Sequence, residues 1–174
     1  MNYAEIKYND IANGIGVRTS LFVSGCRHHC KNCFNQVTWD FGYGKPFDDK
    51  IKEKILKSVK PTWINGLSLL GGEPFEPENQ AGLLALLKEF HARFPEKDVW
   101  CYSGFTLEQL LGKTESRAAT AISKELLENI DVLVDGRYVE ELHDIRLKFR
   151  GSSNQRVIDI KKTLAAGEVV LYLT

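Results

Sequence analysis

Long apolar runs are missing from these 174 residues, and none approaches the roughly 20 needed to cross a bilayer. A dominant charge is missing too: 23 basic residues balance 23 acidic ones. No chain-wide field therefore exists to draw in nucleic acid or an anionic membrane, and neither is expected as a partner. There is no heptad pattern, low-complexity tract, internal repeat or linker, so one globular domain is expected. Met1 to Asp10 is polar and mixed, without the basic and apolar regions of a secretory signal. A cytoplasmic location, where thiols stay reduced, is the resulting expectation. Cysteine is scarce, at four residues, yet three of them fall within eight positions. That crowding suits a metal site rather than a disulfide framework.

What is present reads as alternating strands and helices. Thr19 to Val23 is a β-branched, apolar run that stops at Ser24-Gly25. Ile51, Ile55 and Val59 recur at helical spacing between Asp48 and Lys60. Gly66 to Leu70 predicts a strand closed by Gly71-Gly72, and Asn79 to Phe94 a helix ended by Pro95. Asp98 to Tyr102 is the next strand. A helix capped by Thr106 follows, then a polar interruption at Gly112 to Thr120 and helical character from Ala121 to Asn129. Ile130 to Val134 is a further strand, after which the pattern weakens. Glu168 to Leu173 reads as a final edge strand or an extension. Repeated strand–turn–helix units predict α/β architecture on a mostly parallel sheet. Each functional-looking cluster falls just after a strand, where such sheets bind ligands. A complete eight-unit barrel needs about 250 residues, so any barrel here must be partial and open.

The chemistry-bearing cluster is Cys26-Arg27-His28-His29-Cys30-Lys31-Asn32-Cys33, a C-x3-C-x2-C loop. Three thiolates can hold three corners of a [4Fe–4S] cubane and leave one iron open to a ligand. Zinc is the rival: a closed site takes four ligands, and His28, His29 or Cys101 can supply the fourth. Spacing alone fits both. Cys101, between apolar neighbours in a strand, reads as a small core hydrophobe, and the two histidines read as polar loop residues.

Gly71-Gly72-Glu73-Pro74 lets a backbone pass close to a ligand and sets a carboxylate beside it. Alone it is a commonplace turn. In order, however, C-x3-C-x2-C after one strand and GGEP after the next resemble the radical S-adenosylmethionine (SAM) superfamily. Further stretches resemble its activating proteins of anaerobic ribonucleoside-triphosphate reductases. These are Asp10-Ile11-x-Asn13-Gly14-x-Gly16-x-Arg18, Leu21 to Cys26, Cys33-Phe34-Asn35, Thr38-Trp39, Trp100 to Phe105, Asp131 to Gly136 and Arg150 to Gln155.

The resemblance implies a partial, open (βα) barrel with mostly parallel strands. It spans residues 1–156 as the activase domain, with 157–174 as an extension of it. It implies one [4Fe–4S] cluster held by Cys26, Cys30 and Cys33. SAM would lie with its methionine end on Gly71, Gly72 and Glu73, and its adenine near the backbone of Asn32, Cys33 and Phe34. The implied reaction is reductive cleavage of SAM, then removal of hydrogen from a backbone glycine of the large reductase subunit, which becomes a glycyl radical. A flavodoxin-like donor would supply the electron. No acid–base pair is required, because cluster and cofactor carry the hard chemistry. With no further cysteine-rich segment, a second cluster is not expected. Asn32 departs from the family, where an aromatic often stands, as does Leu70 before the glycines. Nothing after Arg156 carries a motif. The alternatives are another short radical SAM enzyme, acting on a formate-lyase-like protein or a small molecule, and a non-catalytic zinc-stabilised module.

Overall fold

The computed structural model describes residues 1–174. Eight strands run in the order β1 (Asn2–Asp10), β2 (Val17–Val23), β3 (Lys45–Pro46), β4 (Ile64–Gly71), β5 (Asp98–Tyr102), β6 (Val132–Asp135), β7 (Arg156–Asp159) and β8 (Leu171–Leu173). Between them lie α1 (Asp49–Ser58), α2 (Pro77–Arg93), α3 (Leu107–Leu110), α4 (Ser123–Glu128) and α5 (Ile160–Ala166). Local chemistry explains the helix starts. The Asp48 carboxylate accepts from the Ile51 amide, and Thr106 and Gln109 form a reciprocal capping box. Pro77 opens α2, where its missing N–H costs nothing. No helix is long and apolar enough to cross a membrane.

The strands form one mixed sheet in the order β3-β1-β2-β4-β5-β6-β7-β8. The expectation of mostly parallel strands is wrong. β2, β4, β5 and β6 are parallel. The other four of the seven pairings, at the two flanks, are antiparallel. The connections decide this. A parallel return needs a crossover of about a dozen residues or more, usually through a helix, and α1, α2 and the α3–α4 pair provide three. The loop between β1 and β2 is too short for one. The segment from Gly136 to Gln155 contains no α-helix and returns along the same end of the sheet, so β7 arrives antiparallel. β1 escaped sequence reading because only Tyr3 is buried along it, which leaves no apolar run to see.

Alternation along the central strands separates two faces. Leu21, Leu67, Leu69, Val99, Cys101 and Leu133 join residues of all five helices in one core of 27 buried side chains. The opposite face carries no helix. It presents Arg18, Ser20, Ser68, Trp100 and Val132, with Leu70, Tyr102 and Val134 nearest the ends where the parallel strands finish. β3 and β8 are the two edges of the sheet.

Candidate iron–sulfur site

A cavity of about 460 Å³ opens on the helix-free face, beyond the C-terminal ends of β2, β4, β5 and β6. Cys26, Cys30 and Cys33 line it, together with Gly71, Gly72 and Glu73, and with Asn32 and Phe34. Every residue assigned to cluster or cofactor from the sequence therefore borders one space. Phe34 is 84% exposed at the surface, and Asn32 is exposed with its backbone in the left-handed region at φ 58°. The cavity also takes residues from the long β6–β7 connection, among them Tyr138, His143, Phe149, Arg150 and Gln155.

Backbone contacts weld the cysteine loop to the glycine turn. The Gly25 amide donates to the Thr38 carbonyl at 2.7 Å, and the Glu73 amide donates to the Gly25 carbonyl at 2.8 Å. Gly71 has φ 113°, and a Cβ there would stand 2.5 Å from the Val23 nitrogen. Only glycine fits such a close approach. A Cβ on Gly72 would meet the Gly25 carbonyl oxygen at 2.6 Å.

The carboxylates of this turn face inward. Glu73 is 1% exposed and accepts from the Phe75 amide, the Ser103 hydroxyl, the Gly104 amide and His28 Nε2 at 2.7–2.9 Å. Its side chain is therefore satisfied within the protein, and so is its backbone, whose carbonyl accepts from the Glu76 amide and from Asn79 Nδ2. Glu76 is fully buried. It accepts from the Arg27 amide at 2.8 Å, from Arg27 Nη1 at 2.7 Å and from Arg117 Nη2 at 2.9 Å. Although burial alone would raise its pKa, the Arg117 and Arg27 contacts hold it below the usual carboxylate value. Sequence reading passed over Glu76 and over Arg117, which lies in the polar Gly112–Thr120 interruption. The available signal was a glutamate among apolar and proline neighbours at a helix start, which needs a cationic partner once buried.

The donors fit an iron–sulfur cluster better than zinc. The three thiols open on one cavity. A cubane asks for a wider spacing than a single ion, because each thiolate binds its own iron. Two of the three residues that could close a zinc site are engaged elsewhere: His28 is bonded to Glu73, and Cys101 is fully buried on the helix side of β5, while the His29 ring stacks on Trp39 at 4.2 Å. Burial, followed by smaller contributions that include the nearby Glu73 and Glu76, pushes the Cys26 thiol up to about 12. A bound metal cation reverses that preference and holds the sulfur as thiolate. The Tyr102 hydroxyl is buried at the cavity wall with no hydrogen-bond partner in the protein, a place for a polar ligand atom. Cys101→Ala is expected to leave the iron content of reconstituted protein unchanged, at about 1 kcal/mol of stability. Iron analysis beside urea denaturation checks this.

The family model described as a 4Fe-4S single cluster domain matches residues 12–158, which covers the cysteine loop, the glycine turn and β4 to β6. The fold and site thus define an iron–sulfur protein with a single-cluster domain. Full-length relatives narrow the class. An anaerobic ribonucleoside-triphosphate reductase-activating protein of Pasteurella multocida is 42% identical over 157 residues, 89% of this chain and 95% of the relative. Proteins of the same name in Escherichia coli K12 and phage T4 are 40% and 36% identical, each over 90% of this chain and 97% and 93% of their own. This chain belongs to the family of anaerobic ribonucleoside-triphosphate reductase-activating proteins.

Proposed function

We propose that this protein reductively cleaves SAM and installs a glycyl radical on the large subunit of an anaerobic ribonucleoside-triphosphate reductase. Cys26, Cys30 and Cys33 are the cluster ligands in this reading, and the mixed sheet is a partial, open barrel of the radical SAM type. Residues 1–156 are the activase domain and 157–174 its extension. The observation that carries the proposal is the single cavity that collects the three thiols and the Gly71–Glu73 turn in a chain of this family. When bound, the cluster supplies one-electron reduction of the sulfonium of SAM.

The chain's own work is binding, orientation and exclusion. Gly71 and Gly72 let the turn lie close against the backbone of Val23 and Gly25, and this placement offers it to the methionine head group. The backbone of Asn32, Cys33 and Phe34 flanks the adenine. Leu70, Val134 and Phe149 give the wall apolar surface that keeps water from a reactive species. The sheet is not closed by β3 and β8, and an open side admits a backbone glycine of a macromolecular substrate. A flavodoxin-like donor delivers the electron, and the setting is the cytoplasm. Anaerobic reconstitution with iron, sulfide, SAM and a reductant tests the proposal. It predicts 5′-deoxyadenosine and, with the reductase present, a glycyl-radical signal. Colourless protein holding one zinc per chain overturns it.

A further inference from the structure

The two residues that follow Cys26 make contacts unlike those of a solvated loop. His28 has a side chain only 8% exposed. Its Nε2 donates to Glu73 at 2.9 Å, its ring edge meets Phe105 at 4.5 Å, and its carbonyl accepts from Arg137 Nη2 at 2.6 Å. The ring occupies the space a side chain on residue 104 would need, since a Cβ on Gly104 would stand 2.6 Å from it. Arg27 reaches Glu76 through both its amide and its guanidinium, continues to Glu78 at 2.5 Å, and lies over the Phe41 ring at 4.3 Å. Both anchoring carboxylates, Glu73 and Glu76, are buried and fixed by other bonds as well.

The loop that follows these anchors is strained. His29 and Asn32 both adopt left-handed backbone, at φ 50° and 58°. Such residues persist only where their surroundings over-determine the conformation. We propose that Arg27 and His28 are positioning residues that, through Glu76 and Glu73, hold the cysteine loop in its ligating shape before iron arrives. The proposal rests on the reading of Cys26, Cys30 and Cys33 as ligands. It also gives the Glu73 carboxylate a task within the protein, as an anchor of the cysteine loop.

The test uses full-length protein, first without metal and then reconstituted. Losing one charge-assisted bond from His28→Ala is expected to speed hydrogen exchange over residues 26–34 about tenfold. Exchange in β4 to β6 stays unchanged. After reconstitution, iron release to a chelator accelerates by a similar factor, and His28→Gln, which keeps an N–H donor, restores part of the protection. Arg27→Ala, with its half-exposed side chain, gives the same direction of change if His28→Ala folds poorly. Unchanged loop exchange and unchanged iron release in the double variant overturn the proposal. Wild-type protein that takes up no iron, while loop exchange still rises in the variants, instead overturns the cluster reading and leaves the tethers in place.

Discussion

Alanine at any one of Cys26, Cys30 or Cys33 is expected to abolish SAM cleavage while the chain still folds. Three thiolates hold three irons of a cubane and leave one open, so removing one removes a corner that nothing nearby replaces. Cys101 cannot swing in from the core side of β5, and His28 is held by Glu73. The fold survives because the site cysteines lie outside the main core and the loop has its own anchors. Anaerobic assay of 5′-deoxyadenosine, beside circular dichroism and iron analysis, reads the result. Product formation near the wild-type rate in any of the three variants removes that cysteine from the ligand set.

The second large effect lies beneath the cavity. Arg18 is 0% exposed, and its guanidinium donates to Ser68 Oγ at 2.7 Å, to the Ile15 carbonyl at 3.0 Å and to the Leu67 carbonyl at 2.9 Å. It also pairs with Asp98 at 2.6 Å and lies over the Trp100 ring. From Ser68 the network continues to the Asn13 carbonyl, and Asn13 in turn donates to Asp10 at 2.6 Å. One side chain thus bolts the 11–16 loop, whose Ala12 and Asn13 line the cavity, to β4 and β5. Arg18→Met keeps much of the volume and removes every donor. We expect a loss of about 3 kcal/mol, the lower end of the cost of breaking a buried ion pair, because the Asp98 side chain is 41% exposed and regains water. Urea denaturation measures it. A loss below about 1 kcal/mol would show the network to be dispensable.

Much of the site was legible because its signals are local. C-x3-C-x2-C, the double glycine and the cap at Thr106 act over a few residues, and so do the apolar runs of β2, β4, β5 and β6. Each is read from neighbours in the chain. Strand direction is not, since it depends on whether a connection crosses over or turns back; β1 buries only Tyr3, and β7 is a four-residue strand whose buried pair, Val157 and Ile158, is too short an apolar run to announce itself. The roles of charged residues were hidden for a related reason. Glu73 reads as a carboxylate free to attract an ammonium group until Ser103, Gly104 and His28 are seen around it.

By itself the sequence determined which atoms can bind metal, which turns leave backbone uncovered, and which runs must be buried. These follow from side-chain chemistry and short-range periodicity. Tertiary structure alone decided which way the carboxylates point and which cysteine is excluded from the site. The partners concerned are far apart in the chain: 45 positions separate His28 from Glu73, and 80 separate Arg18 from Asp98. Only the pairing of the sheet brings them within hydrogen-bond range, where burial makes each unpaired charge too costly to leave alone.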